Sequence, residues 1–275
     1  MCLIAFAIGA SATRPLVIAA NRDEFFDRPA LPLAKWQAAG GPVISGRDLR
    51  AGGTWLGASP QGRIAMLTNV REPNPQAAPR SRGDLPLQWL ARSDMAAQDF
   101  LQGLDAQHFG GCNLVLGDVS RGQWTWATNR PDAATLASAG ARSNSQGWFS
   151  QFLSPGLYGL SNALLDTPWP KTLALKSALQ QALAHKDESD MVASLWPALM
   201  NPRRAEAHEL PETGVSPALE MGLSSAFVDM PERGYGTRCS TVLCLSHAKT
   251  GLAGNAWERS VGEPGEARVS WLVAA

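Results

Sequence analysis

Two apolar runs at the amino terminus decide the fold: Met1-Cys2-Leu3-Ile4-Ala5-Phe6-Ala7-Ile8, then Leu16-Val17-Ile18-Ala19-Ala20, which continues into Asn21-Arg22-Asp23-Glu24. Short runs of this composition predict two neighbouring β-strands. Removal of Met1 would leave Cys2 with both a thiol and a free α-amine, and that amine can act as the base for its own side chain. This pattern is typical of an N-terminal-nucleophile site. The alternative is that Cys2 is only a small buried apolar residue, as free cysteines often are.

Composition and charge exclude several classes of function. The chain has 275 residues, with 24 basic and 24 acidic side chains and a formal net charge of zero. Nucleic acid is therefore not an expected partner, because no long basic run is present. No stretch approaches the roughly 18 apolar residues of a membrane span, so we predict a cytoplasmic protein without a membrane span that binds a small molecule. Oligomeric state is not predictable from these features.

The four cysteines are too few and too scattered for a disulfide scaffold: Cys2, Cys112, Cys239 and Cys244. Cys239, Cys244 and His247 match no standard metal-binding spacing. Alternation along the predicted strand places Cys244 on the opposite face from the other two. The sequence therefore predicts no metal site.

Strands dominate the predicted element order, with helices inserted in the middle of the chain. This order favours largely antiparallel sheets with helices on their outer faces, in one domain spanning residues 1–275. The stretch from Arg28 to Gly53 is rich in proline and glycine and predicts no long element. A helix is predicted from Asp94 to Leu104, with Ser93 as its N-cap.

Polar residues stand within or beside the predicted apolar strands: Arg22, Asp23, Asn69, Asn113, Asn162 and Arg238. Burial of a lone charge is costly, so each charged member must be exposed or paired. A structural ion pair between the sheets explains any one of them. Their combination beside Cys2 favours a functional site, and the proline-containing loop from Val70 to Pro79 is expected at its mouth.

A series of short motifs, in order along nearly the whole chain, resembles the NRDE family, whose eukaryotic members are called transport and Golgi organisation proteins. The motifs are Met1-Cys2, Asn21-Arg22-Asp23-Glu24, Arg28-Pro29, Gly46-Arg47-Asp48, Gly52-Gly53-Thr54-Trp55-Leu56-Gly57, Leu67-Thr68-Asn69, Arg71-Glu72, Ser81-Arg82-Gly83, Gly159-Leu160-Ser161-Asn162, Thr167-Pro168-Trp169-Pro170-Lys171 and Tyr235-Gly236-Thr237-Arg238.

The resemblance implies an α+β fold, namely a four-layer αββα sandwich of the N-terminal-nucleophile hydrolase type. It implies Cys2 as nucleophile, Asp23 as the residue that orients its amine, and Arg22 and Arg238 beside the thiolate or a substrate anion. Asn69 and Asn162 would supply oxyanion donors. The expected activity is that of an amidase or thioesterase on a small acylated substrate, without a required cofactor. Family links to haem trafficking and acyl-lipid metabolism imply an alternative, a non-enzymatic carrier of haem or another hydrophobic metabolite.

Overall fold

The computed structural model describes residues 2–9, 11–92, 94–133, 142–249 and 251–274. These residues form fifteen strands: β1 Cys2–Ile8, β2 Leu16–Phe25, β3 Ala30–Ala38, β4 Gly41–Asp48, β5 Leu56–Ala58, β6 Arg63–Asn69, β7 Cys112–Asp118, β8 Gln123–Thr128, β9 Arg142–Ser143, β10 Phe149–Phe152, β11 Gly156–Leu160, β12 Asp229–Met230, β13 Tyr235–Ala248, β14 Gly251–Ser260 and β15 Ala267–Val273. The same residues contain five α-helices: α1 Asp84–Leu90, α2 Ala97–Gln102, α3 Pro170–Ala182, α4 Glu188–Leu199 and α5 Pro217–Gly222.

The strands belong to two antiparallel sheets. The amino-terminal sheet has the order β11-β1-β2-β13-β14-β15, with β12 paired to β13, and the second sheet has the order β3-β4-β5-β6-β7-β8-β10-β9. Neighbouring strands in both sheets pair antiparallel. The prediction of antiparallel sheets is therefore confirmed. None of the helices in the described parts of the chain is long and apolar enough to cross a membrane.

The alternation of side chains along β1 shows how the layers form. Ile4 and Phe6 pack against the second sheet, whereas Leu3 and Ala5 face α3 and α4. The outer face of the second sheet is covered in turn by α1 and α2, with Trp89 among the buried residues. A strand buried on both faces reads as a continuous apolar run, which explains the composition of the amino terminus. The four-layer αββα sandwich is thus confirmed.

Two sequence-based predictions are wrong. The stretch from Arg28 to Gly53 contains the long strands β3 and β4. Pro32 is tolerated because β3 is an edge strand and because its register with β4 shifts between Leu31 and Ala34. The helix predicted from Asp94 to Leu104 is only α2.

The shortening of α2 has a local cause. Ala96 is extended at the N-cap, and the Met95 carbonyl before it accepts a hydrogen bond from Arg63 Nη2 at 2.8 Å instead of joining the helix. The predicted cap, Ser93, lies outside the described residues.

Candidate active site

Cys2 and Arg22 lie directly opposite each other on β1 and β2. Directly paired residues of antiparallel strands point to the same face, here the face toward the second sheet. Arg22 is held on both sides, because its Nη2 lies 3.2 Å from Asp48 Oδ2 and its guanidinium stacks 4.3 Å from the centre of the Trp55 ring. A buried cation is thereby fixed beside the thiol.

Asp23 reaches the same cavity from the other face of β2. On a regular strand, Arg22 and Asp23 point to opposite faces. The irregularity at this point belongs to β13, where one extra residue lies between Thr237, the partner of Asp23, and Cys239, the partner of Arg22. β2 therefore keeps its alternation, and Asp23 lies near Lys171 of α3. Asp23 accepts a hydrogen bond from Thr237 Oγ1 at 2.8 Å and lines the same cavity as Cys2 and Arg22.

The cavity has a volume of about 490 Å³ and lies where the two sheets meet the segment that follows β6. Cys2, Arg22, Asp23 and Asn69 all line it, together with residues 75–83. Part of the predicted loop from Val70 to Pro79 therefore borders the cavity that contains Cys2.

The two asparagines have different positions. Asn69, at the end of β6, lines the cavity, and its carbonyl accepts a hydrogen bond from Asn162 Nδ2 at 3.0 Å. Asn162 is buried, and its own carbonyl accepts from the Arg71 amide at 2.7 Å. Ser161 Oγ donates to the Cys2 carbonyl at 3.1 Å. In this arrangement Asn162 supports Asn69, and Asn69 is the residue positioned to meet a ligand.

Arg238 is not brought together with Cys2 in this cavity. It is the extra residue in β13 between the partners of Asp23 and Arg22. Its Nη1 donates to the Phe26 carbonyl at 2.7 Å, and it lines a small neighbouring cavity with Cys239. The remaining sequence candidate, Asn113, binds Thr68 Oγ1 and the Ala163 carbonyl between β7 and the segment after β11.

Asn21, the first residue of the four-residue motif, points away from the cavity. Its Nδ2 donates to the Leu199 and Ala226 carbonyls at 2.7 and 2.8 Å, and its Oδ1 accepts from Ser240. It therefore joins the amino-terminal sheet to the helical layer. The motif combines a structural asparagine with two residues of the cavity.

Burial governs the protonation of the site. Desolvation raises the pKa of the Cys2 thiol; the nearby Asp23 carboxylate also raises it, while the Arg22 guanidinium acts in the opposite direction. Burial also raises the pKa of Asp23, against the opposing effect of the Lys171 ammonium. The resting thiol is therefore protonated near neutral pH, and a nucleophilic role requires a base.

Sequence reasoning missed four charged residues near the site. Burial lowers the pKa of Lys171 to about 8, and its Nζ donates to the Leu223 carbonyl at 2.8 Å. Arg71 forms a buried ion pair with Glu220 on α5. Asp48 accepts from both Arg22 and Arg28. Each of these residues except Glu220 belongs to a short motif found in the sequence, but spacing alone assigned none of them a partner.

A larger cavity of about 720 Å³ adjoins the first, and the two share Glu24, Arg28, Arg50, Asn69, Pro75 and Arg82. Its further lining is mostly apolar and comes from β2, α5 and the segment leading to β13: Phe25, Val215, Leu219, Leu223, Met230 and Tyr235. The site is thus a polar cavity at Cys2 that continues into a larger cavity, whose further lining residues are mostly apolar.

Two solved structures have a similar arrangement of elements. An orthologue of N-acylethanolamine-hydrolyzing acid amidase from Caenorhabditis elegans is 11% identical with a TM-score of 0.49, and covers 88% of this chain and 92% of its own. The C2A mutant of conjugated bile acid hydrolase from Clostridium perfringens is 8% identical with a TM-score of 0.46, and covers 97% of this chain and 92% of its own.

Sequence relatives cover almost the same length. The bovine (Bos taurus) transport and Golgi organization protein 2 homolog is 34% identical over 266 residues, which are 89% of this chain and 88% of the bovine protein. The human (Homo sapiens) homolog is 33% identical over 270 residues, with the same coverage of each chain. The family model for transport and Golgi organisation 2 matches residues 1–261. This chain therefore belongs to the transport and Golgi organisation 2 family, as its motifs predicted.

Proposed function

We propose that this protein, after removal of Met1, is a cysteine hydrolase that cleaves the amide or thioester bond of a small acylated substrate. The observation that supports the proposal is the position of Cys2, Arg22, Asp23 and Asn69 around one cavity. A thiol, a carboxylate, a fixed cation and an amide meet there, and these are the groups that nucleophilic acyl transfer needs.

The reaction would proceed in two steps. The α-amine of Cys2 takes the thiol proton, and Cys2 Sγ attacks the carbonyl carbon to form a tetrahedral oxyanion beside Asn69. The oxyanion collapses, the amine or thiol of the substrate leaves with the proton, and the acyl group remains on Sγ. Water then attacks the thioester, returns a proton to Sγ and releases the carboxylic acid. Asp23 favours the protonated amine that forms during each attack.

The test has three readouts. Intact-mass measurement of the native protein should show loss of Met1. Iodoacetamide should then alkylate Cys2 before Cys112 and Cys244, because burial raises the pKa of each of the latter thiols to about 12. In assays with N-acyl amides and acyl thioesters, Cys2→Ser should retain the fold and lose turnover by about 100-fold or more, since an alcohol is a poorer nucleophile for this base. Retention of Met1, or full turnover by Cys2→Ser, would contradict the mechanism.

The larger cavity favours a second candidate, a non-enzymatic carrier of an apolar metabolite or haem. Its apolar lining can hold a hydrophobic ligand whether or not Cys2 reacts. Among the residues that line the two cavities, Cys2, Met230 and Tyr235 carry side chains that can serve as axial haem ligands.

Titration with haemin, followed by absorbance, tests this candidate. The carrier function predicts saturable binding at micromolar protein, and it predicts the same affinity in Cys2→Ala unless the thiolate is the axial ligand. A linear, non-saturating titration of the wild-type protein would discard haem as the cargo.

A further inference from the structure

The turn Ser81-Arg82-Gly83 is fixed in place by close packing of backbone. Thr54 N donates to the Gly83 carbonyl at 3.1 Å, and Gly83 N donates to Ser81 Oγ at 3.2 Å. A Cβ added to Gly53 would lie 2.5 Å from the Gly83 carbonyl carbon, so only glycine allows the two segments to approach this closely. The turn therefore presents Arg82 from a rigid base.

Arg82 differs from the other arginines that line both cavities. Arg28 and Arg50 are paired with Asp48 at 2.5 Å and with Asp27 at 3.1 Å. Arg82 donates from Nη1 to the Gly111 carbonyl at 3.2 Å, and no described carboxylate oxygen lies within 4.0 Å of its side-chain nitrogens. The acidic residue Glu72, which also lines the larger cavity, is bound by Arg130 at 2.7 Å. Arg82 thus keeps most of its N–H donors and its charge for a partner outside the described chain.

The position of Arg82 defines what that partner can be. It lies at the junction where the cavity of Cys2 continues into the larger cavity. Beyond the junction most of the further lining residues are apolar, among them Leu219 and Leu223 from α5 and the residue after it, and the charged ones are Arg71, Glu72 and Arg233. A guanidinium at the polar end of an apolar cavity complements a molecule with an anionic group and a hydrocarbon chain.

We infer that Arg82 is the anion-binding residue of this site and that the ligand is an amphipathic acyl compound. Its hydrocarbon chain occupies the larger cavity, and its carboxylate or phosphate accepts hydrogen bonds from Arg82. The inference deepens the proposed function and rests on it for the acyl nature of the ligand, whereas the binding of the anionic group by Arg82 does not depend on a reaction at Cys2. Arg82 is a binding and specificity residue, separate from the groups that perform the chemistry.

Calorimetric titration with octanoate, the neutral isostere octanamide and acetate tests this inference. The wild-type protein should bind octanoate about tenfold more tightly than octanamide, because a charge-assisted hydrogen bond to Arg82 is lost with the amide. Arg82→Gln should remove this preference, and Arg82→Lys should keep part of it. Arg80→Gln is the matched control, because Arg80 lines the cavity of Cys2 but not the larger cavity, and its Nη2 lies 3.8 Å from Asp84 Oδ2. It should keep the preference.

Two further measurements make the result decisive. Leu219→Trp fills the larger cavity and should lower the affinity for octanoate and for octanamide to the same extent. Acetate lacks the hydrocarbon chain and should bind weakly to every variant. If Arg82→Gln does not fold, the wild-type preference itself must still fall as salt rises from 0.05 to 0.5 M, because salt screens the charge of the half-buried Arg82 (roughly a threefold shorter Debye length).

Equal affinity for octanoate and octanamide, a preference that survives in Arg82→Gln, or absence of saturable binding by both probes would overturn the inference. These outcomes are independent of turnover. Cys2→Ala should bind octanoate as the wild type does, so a failure of the hydrolase mechanism leaves the binding result unchanged.

Discussion

At the residue scale, burial sets the chemistry of this site more than the identity of the neighbours does. The thiol of Cys2 and the carboxyl of Asp23 have raised pKa values although cations stand beside both. Desolvation is the largest cause in each case, because a charged form loses its hydration inside the protein. The same effect lowers the pKa of Lys171 to about 8. Burial therefore favours the uncharged form of all three groups.

The lowered pKa of Lys171 makes a prediction about stability. The folded-state pKa is about 8 and the reference value is 10.5, so between these pH values the unfolded chain binds more protons. The free energy of unfolding should then rise with pH from about 8 to 10.5 through this residue, and its contribution should be constant below 8. The full change is on the order of 3 kcal/mol.

Urea unfolding at several pH values from 7 to 10 measures this effect. The difference in unfolding free energy between the wild type and Lys171→Met should increase over the range above pH 8. Lys176→Met, on the same helix, where Lys176 pairs with Asp166 near the surface, is the matched control and should follow the wild type. Parallel pH curves for the wild type and Lys171→Met would refute the assignment.

At the element scale, irregular segments determine the positions of several functional groups, and the regular strands beside them support these segments. The irregularity in β13 lies at Arg238, whose side chain binds the Phe26 carbonyl instead of lining the cavity beside Arg22 and Asp23. The turn before α1 places Arg82, and its position depends on contact with the loop before β5. The contact between this turn and the loop before β5 is made by backbone atoms, and the residues at the closest approach are therefore glycines, Gly53 and Gly83.

Gly53→Ala tests the role of that contact. The new methyl group would overlap three backbone atoms of Gly83 at 2.5 to 2.7 Å, so the two segments must separate. We expect a loss of about 1–3 kcal/mol of stability by overpacking, together with a weaker preference for octanoate over octanamide.

Thermal unfolding and calorimetric titration measure the two effects of this substitution. Gly103→Ala at the end of α2 is the control, because its nearest new contact is an ordinary 3.6 Å and its φ of −82° suits alanine. The prediction is wrong if Gly53→Ala behaves like this control.

At the scale of the whole molecule, the cavity lies at one end of the space between the two sheets. Ile4 and Phe6 fill the space between the sheets near the middle of β1, and at its beginning the apolar packing gives way to Cys2 and Arg22. Residues 69–83 and the segment around α5 then enclose the two cavities. The two cavities support the two proposed functions differently. The residues proposed to react line the cavity of Cys2, and most of the apolar residues line the larger cavity.

The sequence by itself determined the layers and the proximity of Cys2, Arg22 and Asp23. Apolar runs such as residues 3–8 predict strands covered on both faces, since burial of every side chain requires a layer on each side. Neighbouring strands in sequence predict antiparallel pairing, and the conjunction of Cys2 with Arg22 and Asp23 on paired strands predicts their proximity. These inferences succeed because they depend on local periodicity and on strands that are close along the chain.

Only the tertiary structure decided the rest. Arg238 is predicted beside Cys2, but it is the extra residue in β13, and its side chain binds the Phe26 carbonyl instead. The pairs Arg71–Glu220 and Arg22–Asp48, and the position of Arg82 between two cavities, join residues far apart in sequence. Residue spacing in the sequence does not predict such contacts. The packing of distant segments determines which partner each charged side chain has and how much of its hydration it loses.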